Sequence, residues 1–215
     1  MIPLSDENPT KNFPLITLLI IGANIWIYIE MFYRANIPPE LAFNQYGLVP
    51  YNLINSPGTE YPAIFSAMFM HAGFMHLAGN MLYLWIFGNN IEDVLGKLRF
   101  ILFYLACGVI AAFGHIATDT SSVTPMIGAS GAVSGVLGAY LVLFPYARVK
   151  TLIFIVIFIT IIRIPAVVLL GIWIGLQVLN GMAVSGGTSG IAWFAHIGGF
   201  LAGIILILPF RKKRV

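Results

Sequence analysis

The feature that most constrains this chain is a succession of long apolar runs almost free of charge. They cover about Phe13–Tyr33, Met75–Ile91, Phe100–Ala117, Ile127–Phe144, Pro165–Leu179 and Ile191–Pro209. A bilayer core is crossed by about 20 apolar residues in a helix, so each run reads as a membrane span. Of 215 residues, 59% are hydrophobic and 9% charged, more apolar surface than a water-soluble domain of this size needs. Unbroken runs, not short alternating segments, argue for helices over a barrel. The expected fold is therefore an all-α integral membrane protein with six spans, read as a single membrane domain over residues 1–215. It comprises a short polar tail at 1–12, a six-helix core at about 13–210 and a basic tail at 211–215. The first run lacks the short apolar region and cleavage site of a signal peptide, so it is expected to be retained.

Between the first two runs lies a long connection, residues 34–62, with Pro38, Pro39, Pro50 and Pro57. A structureless loop of that length is expected to be functional or partly membrane-embedded, with Ile64–Met70 as its buried return. Thr151–Ile162 is apolar but too short to span, and is expected to be an interfacial or re-entrant piece. Six spans put both termini on one side. Lys11, Lys97, Arg99, Arg148, Lys150, Arg163 and the tetrad Arg211–Arg214 fall on that side, and only Arg34 on the other. The positive-inside rule then makes the termini cytoplasmic, and a bacterial plasma membrane is expected. The net charge of +3 marks orientation and not a nucleic-acid partner. Cys107, alone in an apolar run, reads as core filler.

Spans two, four and six run in the same direction, so their first turns share one depth. His71, His76 and Asn80 begin the second, Ser130 the fourth, and His196 lies early in the sixth. Ser130 stands among small residues in Met126-Ile-Gly-Ala-Ser-Gly-Ala-Val-Ser-Gly135, and a helix starting there would turn unpaired N–H groups toward developing negative charge. His76 and Asn80, four apart, share a helix face. Gly199 and Gly203 on the sixth span, facing Gly131 and Gly135 on the fourth, would let the two backbones approach closely. That would bring His196 within reach of Ser130. Intramembrane polar residues are costly and usually functional. A nucleophile, a base and two donors at one level suit acyl transfer. The bland reading is that the small residues pack helices and the histidines are bonded packing residues. Four histidines in a bundle could also ligate haem or line a pore. His115 beside Asp119 is expected to be solvated. Glu92 and Asp93, with Lys97 and Arg99, are expected to form a cap and ion-pair cluster.

Three segments together, His71-Ala-Gly-Phe-Met-His76-Leu-Ala-Gly-Asn80, Gly128-Ala-Ser-Gly131 and Ala195-His-Ile-Gly-Gly-Phe-Leu-Ala-Gly203, resemble the signature elements of the rhomboid intramembrane serine proteases. The resemblance runs from about Tyr61 to Gly203 and includes Asn89–Asp93. It implies that Ser130 is the nucleophile and His196 its general base, without a carboxylate. His76, Asn80 and the backbone N–H of Ser130 would line the oxyanion hole, and His71 would be structural. It implies transmembrane protein substrates within the lipid bilayer, with no cofactor and no metal; a catalytically inactive, client-binding relative is the other reading within the family. Two positions depart from the pattern. Pro62-Ala63 stands where the first loop often carries Trp-Arg, and Ser134 where some members carry a Tyr that stacks on the histidine. The histidine is then expected to be held less rigidly, or by another aromatic such as Trp193 or Phe200. The glycine-rich Ser185–Gly190 loop is expected to cap the site.

Overall fold

The computed structural model describes residues 1–34, 37–155, 158–183 and 192–211. The chain opens with a strand, β1 (Ile2–Asp6), and then α1 (Leu15–Ile29), which begins directly after Pro14 and continues as a wider π-turn over Glu30–Arg34. The long connection is not structureless. It folds into α2 (Pro39–Tyr46), α3 (Pro50–Asn55) and α4 (Pro57–Ser66), closed by a 3-10 turn at Ala67–Phe69. Each of these helices starts on a proline, where the missing N–H costs no helical bond and the fixed φ suits the first turn. The prolines that read as loop residues are thus helix starts. Ile64, Ala67, Met68 and Met70 are buried, as expected of a return segment.

A second helical path follows as α5 (Phe74–Tyr83), a π-turn at Leu84–Gly88 and α6 (Asn89–Leu95). Gly96, at φ 73°, ends it in a left-handed conformation open to glycine, and α7 (Lys97–Ile116) begins at once. Then come α8 (Ser130–Leu143), strands β2 (Arg148–Ile155) and β3 (Phe158–Pro165), α9 (Ala166–Ala183) and α10 (Trp193–Ile207). Among the described residues four helical segments, Leu15–Arg34, Lys97–Ile116, Ala166–Ala183 and Trp193–Phe210, are long and apolar enough to cross a membrane, and Ser130–Leu143 is a shorter apolar helix. The protein is a mostly helical membrane protein.

It is not all-α. β2 and β3 form an antiparallel hairpin, Arg148 opposite Pro165 through Ile155 opposite Phe158, and β1 adds to β2 with Ile2 opposite Leu152. The segment expected to be an interfacial or re-entrant piece is this hairpin. It is rich in Ile, Val, Phe and Thr, whose branched or aromatic side chains suit a pleated surface, and it is too short to span as a helix. The polar tail likewise holds a strand. The sheet lies between the second helical path and α9: β1 packs on α5 and Leu84–Gly88, and β2 and β3 pack on α9.

The N-terminal segment is fastened to the end of the second path by hydrogen bonds. The N–H groups of Ile16 and Thr17 and the Thr17 hydroxyl donate to the Glu92 carboxylate at 2.9, 2.8 and 2.8 Å. Glu92 is buried and caps the first turn of α1 from another helix, supplying what a local cap would. Asp93 accepts from the N–H groups of Lys11 and Asn12. The Tyr140 hydroxyl and Asn90 Nδ2 both donate to Asp6 Oδ2, at 2.7 and 2.9 Å. The expected ion pairing with Arg99 is replaced by a contact 5.6 Å above the Phe210 ring. Asn24 Nδ2 donates within its own helix, to Ile20 O at 2.7 Å.

Candidate active site

The site is built on a helix pair, α8 and α10, that meets backbone to backbone. A methyl group placed on Gly199 would overlap the carbonyl oxygen of Gly131, and one on Gly203 that of Gly135. Backbone therefore meets backbone across α8 and α10, with no side chain between, the arrangement that small residues permit inside membranes. Gly135 in turn abuts Cys107 of α7, which is buried. This approach brings the first turn of α8 level with the first turn of α10.

Ser130 Oγ lies 2.8 Å from His196 Nε2. The loop that delivers Ser130 is pinned from the other side. Leu48 and Met126 exchange backbone hydrogen bonds of 3.0 and 2.8 Å, and Gly128 N–H donates to Ala67 O at 2.8 Å. Helices α3 and α4 are anchored in turn by apolar packing of Leu53, Ala63 and Ile64 against Ala112 and Ile116 of α7. This packing ties the segment around Pro62-Ala63 to α7.

The other nitrogen of His196 has a partner that the sequence reading missed. Nδ1 lies 2.7 Å from Oε1 of Gln177, a buried residue of α9. The signal was present: Gln177 is a lone polar side chain in an apolar run, and such residues are costly in a bilayer. Asp119 is not near this pair and accepts instead from Ser121. Around the imidazole stand Trp173, with ring centroids 6.1 Å apart, and Trp193, 6.2 Å apart and nearly perpendicular. Phe200 does not touch the imidazole in a ring contact but packs on Trp173, 6.0 Å between centroids. Ser134, in place of the stacking tyrosine, donates back to Ser130 O at 2.6 Å.

His76 and Asn80 approach from α5. Gly128 has φ 128°, and a Cβ there would stand 2.9 Å from two ring atoms of His76 and 3.6 Å from Ser130 Oγ. Only a glycine both adopts that conformation and leaves the space open. Asn80 is buried, and its Nδ2 has no hydrogen-bond partner among the described residues. A buried donor without a partner is expensive. His71 is fully buried and packs edge-to-face on His76 at 5.0 Å. His115 is half-buried at the end of α7, not fully solvated. A cavity of about 40 Å³ adjoins Ser130, lined by Gly131, Ala132, Ala195, Met126 and other apolar residues. The Ser185–Gly190 loop, expected as a cap, falls outside the described residues.

Comparison with known proteins returns one family. Residues 58–213 match the model of the Rhomboid domain. The chain is 30% identical over 156 residues to Rhomboid protein 1, mitochondrial, of Saccharomyces cerevisiae, covering 68% of this chain and 41% of that one. It is 43% identical over 82 residues to Rhomboid protease GluP of Bacillus subtilis, covering 38% and 16%. It is 34% identical over 143 residues to the human Presenilin-associated rhomboid-like protein, mitochondrial, covering 63% and 34%. The chain thus spans less than half the length of each of these relatives. With the match running through the helices that carry Ser130, His76 and His196, the chain belongs to the rhomboid family.

Proposed function

We propose that this protein is an intramembrane serine endopeptidase that cleaves transmembrane protein substrates with Ser130 as nucleophile and His196 as general base. The observation that carries this reading is the 2.8 Å approach of Ser130 Oγ to His196 Nε2 on two helices held together by glycine. As Oγ attacks a substrate carbonyl, Nε2 takes its proton and later returns it to the leaving amine, and water hydrolyses the acyl-enzyme. The free Nδ2 of Asn80, the His76 ring and the N–H of Ser130 stabilise the oxyanion. The small lining of the adjoining cavity suits a small substrate side chain next to the cut.

The membrane arrangement follows the same reading. Six spans are formed by the four long helices, the path from Phe74 to Leu95 and α8. At about 1.5 Å per residue, the 14 residues of α8 reach about 21 Å into a core of about 30 Å, so Ser130 starts below the surface. Water reaches it through a cavity, and a substrate helix enters sideways and unwinds to expose its peptide bond. The basic ends of the spans and both termini face the cytoplasm. The relatives include bacterial and mitochondrial proteins and do not single out one membrane.

The test is labelling of the detergent-solubilised protein with a fluorophosphonate. Ser130→Ala and His196→Ala are expected to abolish labelling while the protein remains folded. Labelling that persists in Ser130→Ala overturns the proposal in favour of an inactive client-binding relative with an adventitious reactive serine.

A further inference from the structure

We propose that Gln177 is a positioning residue that selects the tautomer of His196. This inference rests on the reading of Ser130 and His196 as nucleophile and base.

An amide side chain can present either oxygen or nitrogen to a neighbour, and the two choices have opposite consequences here. Gln177 Nε2 donates to Trp173 O, one turn earlier in α9, at 3.4 Å. Reversing the amide would turn its oxygen against that carbonyl oxygen, acceptor to acceptor. The carbonyl of Trp173 therefore sends Oε1 toward His196, where it lies 2.7 Å from Nδ1. An amide oxygen only accepts, so Nδ1 carries the proton. In neutral imidazole the second nitrogen is then a bare lone pair. That nitrogen is Nε2, facing Ser130 Oγ, and a lone pair there is what a base needs. The reversed amide would put an N–H against Nδ1 and the ring proton on Nε2, where it could take nothing from Ser130. Trp173 and Trp193 bracket the ring, so its plane is held while the amide sets its protonation.

The partner is neutral, and this separates it from a catalytic carboxylate. Gln177 orients the ring without placing a second charge in a water-poor site, where an uncompensated anion is costly. The other titratable groups whose charge bears on His196 are His76 on α5 and His115 on α7, and both stay unchanged in the variants below.

The experiment measures the second-order rate of fluorophosphonate labelling of the full chain against pH, per folded molecule. Gln177→Leu is expected to lower the rate about 10–100-fold, part of the range a positioned base contributes. Gln177→Glu is expected to recover most of that loss and to move the acid limb of the profile to higher pH, because a carboxylate favours the imidazolium. If Gln177→Leu and Gln177→Glu both keep the wild-type rate and midpoint, Gln177 only packs, and the proposal falls. A measurement on the unmutated protein guards against variants that fail to fold. The 15N signals of His196 in its neutral form are expected to place the proton on Nδ1, and a proton on Nε2 overturns the inference. Failure of the underlying reading looks different, because labelling would then survive in Ser130→Ala whatever Gln177 does.

Discussion

The two ends of the helical bundle treat polar groups in opposite ways. At the end where α1 begins, Glu92 takes three hydrogen bonds, Asp6 two and Asp93 three, and the donors are backbone N–H groups, hydroxyls and amides of distant segments. At the other end Asn80 is buried with a donor that no group among the described residues accepts, and Ser130 and His196 face one another. Satisfied groups hold a fold together. A buried group kept unsatisfied lowers stability, and a site retains one when a transient charge is to be met there. On the function proposed above, stability belongs to the first end and chemistry to the second.

The sharpest way to break that division is Asn80→Ala. The expected loss is about 10²–10³-fold in kcat, with little change in KM, as for removal of one oxyanion donor. Thermal stability should stay level or rise, since an unpaired donor is removed. A variant with lower stability and normal activity per folded molecule would put Asn80 with the packing residues. His76→Ala/Asn80→Ala should lose less than the product of the single losses if both serve one charge. At the opposite end Glu92→Ala should show the reverse pattern. It strands donors on Ile16 and Thr17 and is expected to cost about 3 kcal/mol, on the scale of a few buried unsatisfied groups. Activity per folded molecule should be retained; denaturation in detergent and labelling measure the two separately.

Gly203→Ala probes the link between the ends. The added methyl overlaps Gly135 O, so α8 and α10 must part, at about 1–3 kcal/mol for an overpacked contact. Labelling of Ser130 should slow as well, because the same contact sets its distance from His196. The smallest effect is electrostatic. Burial raises the carboxyl of Asp6 above its ordinary 3.8, the hydrogen bonds from Tyr140 and Asn90 opposing it in part. The folded protein thus holds that proton more tightly than the unfolded chain. Its contribution is fully present below about pH 4 and is lost as the pH climbs through the folded value. Asp6→Asn should flatten this slope in melting experiments from pH 4 upward.

How much of this was legible follows from the range of each signal. The glycine pairs Gly131/Gly135 and Gly199/Gly203 and the position of Ser130 in a first turn could be read directly, because helical spacing is local and periodic. The hairpin could not: an apolar run of a dozen residues carries no period that separates a strand from a short helix, and its pairing with Ile2–Asp6 joins segments far apart in sequence. The prolines of residues 38–57 misled for a related reason, since the residue that breaks a helix also begins one. Gln177 was legible as an anomaly but not as a partner. Which face of α9 meets His196 depends on packing, and nothing in the sequence orients that helix. Glu92 was seen as a cap, yet the helix it caps starts at Leu15, not its own.

That last bond sets an order of assembly. The groups it joins lie 75 and 76 residues apart, so the first helix leaves the ribosome long before its cap exists. At about 5–20 residues per second the delay is on the order of 4–15 s. Through that interval the leading N–H groups of α1 must be served by water and lipid headgroups, which keeps that end at the bilayer surface. The arrival of Glu92 then fastens a helix that is already inserted, and it can do so only if the second path has crossed back to the same side. In the six-span arrangement proposed above, the capping of α1 therefore comes late, after the second path has crossed.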